Sequence, residues 1–265
     1  MTTRWSRWPA WLVPVGLGGV LLVYLVFPFV TFLVTTGPAD VLGRLNSPGV
    51  QVAIRNSVLT ATISTGIATA LGVPLALVLA RRSFAGKWLV EAAVVLPIVL
   101  PPVVGGAMLL TAFGRFTPIG AAAAAVGIPL TNSLPGIVLA QTFVAAPFVV
   151  ITARSGFASI DRQLEEASRS LGHGPFGTFR RVSLPLAGSA ILAGVTLTFA
   201  RAIGEFGATM MVAYNPRTMP TRIWVDFIAG GIDAIVPVAL ALLAITVAVL
   251  VALHRMAGLP EVVER

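Results

Sequence analysis

The sequence predicts an all-α, polytopic membrane protein of about six spans, with a short helix pair on its cytoplasmic face. Three observations carry that prediction. Of the 265 residues, 57% are hydrophobic and only 11% are charged, whereas a soluble domain is about a quarter charged because its surface must face water. The mean hydropathy is +0.93, so the solvent of this chain is largely lipid. Six stretches are apolar and long enough to cross a hydrocarbon core, which takes about 20 helical residues.

The six spans fall at about 10–34, 51–80, 88–113, 134–153, 186–213 and 232–253, within one transmembrane domain covering 1–265. The first follows Arg4 and Arg7 and so resembles a signal peptide. Its apolar run is longer than an h-region and no small-x-small site follows, so the expectation is an uncleaved span, peripheral to the other five. The third holds Pro97, Pro101 and Pro102, followed by Gly105 and Gly106. Proline removes a backbone donor and clashes with the preceding turn, so this helix must kink or unwind. Lipid does not accept the freed carbonyls. The segment therefore faces a water-filled path, or else it is a packing kink inside a bundle. Ala121–Ala125 predicts a short interfacial helix in an outer loop.

The cations set the orientation. The 18 Lys and Arg outnumber 10 carboxylates, for a net charge of +8. In a soluble chain this excess would raise the question of nucleic acid; here it reads as a topological bias. Segments 1–9, 81–87, 154–185 and 254–265 hold Arg4, Arg7, Arg81, Arg82, Lys87, Arg154, Arg162, Arg169, Arg180, Arg181, Arg255 and Arg265. The alternate loops hold only Arg44, Arg115, Arg217 and Arg222. Both termini are therefore expected in the cytoplasm, as an even number of spans requires. With no cysteine, disulfides, thiolate catalysis and zinc–thiolate sites are excluded. His173 and His254 are too few and too far apart for a metal site, and nothing suggests catalytic residues.

The longest inner loop, 154–185, is the most informative segment. Asp161 is placed to cap a helix, and Glu165 and Glu166 sit early enough to favour its dipole. Ile160, Leu164, Ala167 and Leu171 recur at helical spacing as one narrow apolar stripe, and Glu165 and Arg169 are expected to pair on the surface. Gly172 ends the helix; Pro175 opens a second, with Phe176, Phe179 and Val182 on one side, and Pro185 starts the next span. Such a pair could rest on lipid, but a narrow stripe on a helix bearing both acids and bases suits a protein groove better.

Glu166-Ala167-Ser168, three residues, Gly172, nine residues, then Val182-Ser183-Leu184-Pro185 resembles the EAA loop of ABC importer permeases. The departures are Ser168 for the second alanine and Val182 for isoleucine. The resemblance implies a fold like that of type I importer permeases and a coupling helix that docks into a separate ATPase subunit. Glu166, Ala167, Ser168 and Gly172 would be the docking positions, and Leu184 and Pro185 would fix the exit. It also implies that ATP and Mg are bound by the ATPase, with no cofactor in this chain. Two decoys are set aside. Gly172-x-Gly174-x-x-Gly177 lacks a preceding strand and contains Pro175, so it is a turn. No phosphate loop occurs; Gly86-Lys87-Trp88 is the nearest approach.

In the fifth span, Arg201 and Glu205 are i,i+4 neighbours in an apolar helix, and charge at membrane depth is costly. They form either a self-neutralising pair between helices or part of a pathway or gate, together with Phe206, Gly207 and Thr209. There Arg201 would offer its guanidinium to an anion. Gly204 and Gly207 permit close helix approach or a break. The Gly204-Glu205-Phe206-Gly207-Ala208-Thr209 segment, with Leu100–Ala107, Gly114–Ala121 and Gln141–Ile151, resembles the molybdate permease family, whose relatives carry sulfate, thiosulfate or tungstate. That resemblance implies a homodimer in a prokaryotic inner membrane, fed by an extracytoplasmic oxyanion-binding protein. A self-sufficient secondary transporter would need an internal repeat, and none is seen.

Overall fold

A computed structural model describes residues 12–35, 43 and 45–257. Arg4, Arg7, Arg44 and Arg265, which enter the orientation argument, lie outside the described residues, as do positions 10 and 11 of the first expected span. The chain divides into two units, Met1–Arg44 and Leu45–Arg265. In the first, helix α1 (Leu12–Thr35) has 24 residues and a mean hydropathy of 2.4. Pro28 lies inside it, and the Thr31 hydroxyl donates to the Phe27 carbonyl one turn back.

The second unit is built on two long helices. Helix α2 (Pro48–Arg81) begins with proline in its first turn, where the missing N–H would have had no partner anyway. Its 34 residues span about 50 Å at the α-helical rise. Later in the chain, helix α6 (Leu134–Ser159) starts from Ser133, whose hydroxyl accepts from the Gly136 N–H at 3.1 Å. Ala68, Val73, Ala76 and Leu79 of α2 pack on Val149, Val150, Ala153 and Phe157 of α6. Small residues let the backbones close in: a Cβ on Gly72 would lie 3.0 Å from both Val149 and Val150. Packing of this kind replaces the hydrophobic drive that lipid cannot supply.

The prolines of the third span break it. Helix α3 (Lys87–Val99) and helix α4 (Pro102–Phe113) meet at a 120° bend. Their 13 and 12 residues reach only about 20 Å each, short of the ~30 Å hydrocarbon core. Helix α5 (Pro118–Ala125) is the short element expected at Ala121–Ala125, lengthened because Thr117 caps it and Pro118 opens it. Beyond the 154–185 loop, the fifth span is also discontinuous. Helix α9 (Gly188–Ile203) stops at Gly204, and α10 (Gly207–Val212) restarts after Phe206. Helix α11 (Met219–Ala257) is kinked at Gly231, with φ 70° and ψ −156°, a backbone state open to glycine. The expected start of the last span at 232 coincides with this kink. Four helices among the described residues are long and apolar enough to cross a membrane alone, and up to six spans result when two bent pairs, α3 with α4 and Pro175–Leu186 with α9, are each counted as one.

Candidate functional site

The 154–185 loop folds from its own local signals. The Asp161 carboxylate accepts from the Gln163 N–H at 2.9 Å and caps α7 (Arg162–Ser170). Gly172 ends the turn at φ +89°, where an L side chain would be strained. The His173 N–H donates back to the Ser168 carbonyl. Helix α8 (Pro175–Thr178) runs into a π-turn over Phe179–Ser183 and a last turn at Leu184–Leu186. The chain then bends by 72° into α9. The span therefore begins at Gly188, and Pro185 belongs to the turn that precedes it.

Two adjacent glutamates part company here. Successive helical residues point about 100° apart, so Glu165 and Glu166 cannot share an environment. Glu165 is 4% exposed. One of its oxygens, Oε1, accepts from Arg81 Nη2 at 2.8 Å, Arg81 Nε at 3.1 Å and the Ser183 hydroxyl at 2.8 Å. Arg81 Nη2 also reaches the Ile160 carbonyl at 3.5 Å. The expected surface pair with Arg169 is the weaker contact, at 3.7 Å, and Glu165 is not a surface residue. A buried carboxylate takes the partner that shares its burial, and Arg81 supplies two N–H groups.

Glu166 and Ala167 face outward, as do Leu164 and Leu171, while Ile160 is buried. The apolar stripe therefore splits: its first member anchors the loop, and the rest present a surface. Ser168 is buried and lies 3.3 Å from the Thr178 hydroxyl, joining α7 to α8. The expected single face of Phe176, Phe179 and Val182 also divides. Phe179 packs against Phe157 at 6.3 Å, whereas Phe176 points out. The π-turn begins at Phe179, so it shifts the helical phase only from Phe179 onward, toward Val182. Gly172 is exposed beside the outward face, and Leu184 and Pro185 lie in the last turn before α9.

The second site lies where the broken spans meet. Glu205, 1% exposed, pairs with Arg201. Its Oε1 accepts from the Ala208 N–H at 2.8 Å, so this carboxylate satisfies the restart of the helix as well as the guanidinium. The Arg201–Glu205 contact is an ion pair to the other oxygen, Oε2, and a guanidinium carries five N–H donors. A Cβ on Gly207 would lie 3.0 Å from Pro102 and 3.1 Å from Val103. One on Gly106 would lie 2.9 Å from the Ala208 Cα and carbonyl oxygen. The break in one span is thus seated on the break in the other. The Thr209 hydroxyl is buried there without a hydrogen-bond partner among the described residues. Phe206 turns away to pack on Trp224 at 5.6 Å, and with Gly204, Pro220 and Phe227 it lines an apolar cavity of about 270 Å³.

Sequence reasoning missed Arg81, Ser183 and the inward role of Glu165. One signal was present, since two neighbouring acids on one short helix cannot both face the same way. Arg81 lies 84 residues from its partner, and no local spacing reports that distance.

A bundle of apolar helices with two discontinuous spans and one capped, outward-facing helix pair defines a polytopic membrane permease. The chain belongs to the family described as binding-protein-dependent transport system inner membrane component, whose model matches residues 72–259. It is 51% identical to the probable molybdenum ABC transporter permease protein of Haloferax volcanii, over 92% of this chain and 89% of that one. It is 39% identical to the molybdate/tungstate transport system permease protein WtpB of Thermococcus kodakarensis, over 92% and 94%. The likeness to molybdate permeases read from the sequence is thereby borne out. Among solved structures, a bacterial alginate ABC transporter in complex with a pentasaccharide-bound periplasmic protein aligns with a TM-score of 0.73. The alignment covers 94% of both chains at 18% identity, a likeness of fold.

Proposed function

We propose that this chain is the membrane-spanning permease subunit of an ATP-driven, binding-protein-dependent importer that passes molybdate into the cytoplasm. The observation that carries the reading is the outward Glu166–Ala167 face on a loop whose spacing follows the EAA pattern through Gly172 to Leu184–Pro185. An exposed, narrow helix face held rigidly from behind suits insertion into a groove on another protein. Separate ATPase subunits would bind ATP and Mg, and Glu166, Ala167 and Gly172 would form the docking surface. Loop 154–185 and both termini would then be cytoplasmic, and two copies of the chain would engage two ATPases. An extracytoplasmic oxyanion-binding protein would deliver the ion. Arg201 would meet the anion on its path, held by Glu205, with Gly207 and Thr209 at the gate.

The choice of ion rests on the relatives. One is named for molybdenum and the other for molybdate and tungstate, so tungstate is the second reading. Both are tetrahedral dianions, which one guanidinium serves equally well.

Reconstitution in proteoliposomes with the cognate ATPase and binding protein tests the whole reading. Uptake of molybdate should require all three components and ATP. Glu166→Arg should abolish co-purification of the ATPase while leaving the permease folded. Uptake that persists without any ATPase would overturn the importer reading. A binding protein that prefers sulfate to molybdate in calorimetric titration would overturn the choice of ion.

A further inference from the structure

The EAA spacing draws attention to Glu166, but the buried carboxylate one residue earlier has the more demanding environment. Four separate stretches of chain converge on the Glu165–Arg81 pair. Arg81 closes α2; Ile160, whose carbonyl Arg81 reaches, closes the exit from α6; Glu165 sits on α7; and Ser183 ends the π-turn that leads to α9. Three of the four contacts fall on a single oxygen, Oε1 of Glu165.

The loop is covalently continuous with α6 and α9 and has no such continuity with α2. A push on α7 reaches α6 and α9 along the backbone, but it reaches the inner end of α2 only through side chains. Phe157 and Leu79 supply an apolar contact nearby, which resists separation yet has no preferred direction. The Arg81–Glu165 pair is directional: two guanidinium N–H groups and the Ser183 hydroxyl converge on one carboxylate oxygen, and these charge-assisted bonds hold that atom from two sides. Arg81 and Glu165 side chains are only 14% and 6% exposed, and with Ser183 they form one wall of a cavity of about 550 Å³. Nearby Arg169 is 56% exposed and cannot replace Arg81 in that role.

We infer that Glu165 is a positioning residue: with Arg81 and Ser183 it locks the loop to α2, so that displacement of α7 moves α2, α6 and α9 together. Ser183 belongs to the π-turn, and the 72° bend into α9 follows shortly after it. The node therefore sits just before the point where the chain changes direction. Without it, α7 could rock on its backbone connections while α2 stayed still. Glu166 would make the contact with the ATPase, and Glu165 would ensure that the contact has a consequence. This inference rests on the importer reading and assigns a residue that the EAA spacing leaves out.

The test uses the full complex in nanodiscs with the cognate ATPase and binding protein, comparing Glu165→Gln, Arg81→Gln and the double variant. Two quantities are read, the amount of ATPase that co-purifies and the molybdate imported per ATP hydrolysed. ATPase co-purification should be unchanged. Import per ATP should fall about tenfold in each single variant, within the usual range of coupling between sites. The double variant should be no worse than either single one, because both remove the same link. Ser183→Ala, which removes one donor and no charge, should lower the ratio about threefold, and it keeps the test open if a charge variant fails to fold. Unchanged import per ATP in folded Glu165→Gln would overturn the inference. So would loss of ATPase binding, since Glu165 would then be a docking residue. Failure of the importer reading itself would appear in the unsubstituted complex, as uptake indifferent to the ATPase.

Discussion

The loop node and the crossing of the broken spans are both tightly built, but they are held by different means. At the node, Glu165, Arg81 and Ser183 are joined by hydrogen bonds of 2.8–3.1 Å. At the crossing, Gly106 and Gly207 bring backbone within van der Waals reach of Ala208, Pro102 and Val103. There the buried hydroxyl of Thr209 has no partner among the described residues. The first arrangement is held by directed bonds and, on the inference above, would transmit force without slipping. The second excludes volume and specifies no angle, so two segments can slide or part with few bonds to break. A transporter needs both, a stiff link where motion is received and a yielding contact where a path must open.

Glu205 cuts across this contrast, because it is a charged anchor inside the region otherwise held by contact. Glu205→Ala should produce the largest effect. It strands Arg201 and the Ala208 N–H together, and losing one partner of such a buried pair costs about 3 kcal/mol. A thermal melt of the purified permease in detergent should show it. Gly106→Ala sharpens the comparison. The added methyl would meet the Met211 Cβ at 2.7 Å and the Ala208 backbone at 2.9 Å, for a loss of about 2 kcal/mol by overpacking. A melt unchanged by this single methyl would show that the crossing is looser than described.

Gly172→Ala should cost less, about 1 kcal/mol, the scale of placing an L side chain in the left-handed region. No described atom lies near a new Cβ, and only the φ of +89° is unfavourable. Gly172→Pro cannot take that φ at all, and it should abolish molybdate uptake while the spans stay inserted. The smallest effect belongs to Arg169→Gln. Its contact with Glu165 is 3.7 Å and its side chain is 56% exposed, so stability should change by less than about 0.5 kcal/mol. A larger change in the melt would mean that Arg169 shares the node with Arg81.

Much of the fold was legible because lipid imposes long apolar runs and proline breaks them. Pro97, Pro101 and Pro102 announced the bend between α3 and α4, and Gly204 and Gly207 left close helix approach or a break open, of which the structure shows the break after α9. Asp161 and Gly172 bound the loop helix as their chemistry requires. What stayed hidden was which way each loop residue faces. Glu165 and Arg169 stand four apart and suggest a surface pair. The stronger partner, Arg81, arrives from another helix and is visible only once α2 and α6 are packed. Phe176 and Phe179 part because Phe179 packs on Phe157 while Phe176 is left exposed, and their spacing does not say which of them the core receives.

Helix α2 is also held more than two turns in from its start. There the Asn56 amide donates to the Arg217 carbonyl at 2.9 Å, and the Ser57 hydroxyl accepts from the Met219 N–H at 2.7 Å. A helix held by polar contacts at Arg81 and at Asn56 and Ser57 would bend between them when one set is displaced. Its weakest rung is set by Pro74, which lacks the N–H that would bond to the carbonyl of Ala70 one turn back. Close by, the helix rests on Val149 and Val150 through Gly72. Bending in α2 would thus be concentrated at one place, nearer the clamp at Arg81 than the clamp at Ser57, and would press directly on the middle of α6.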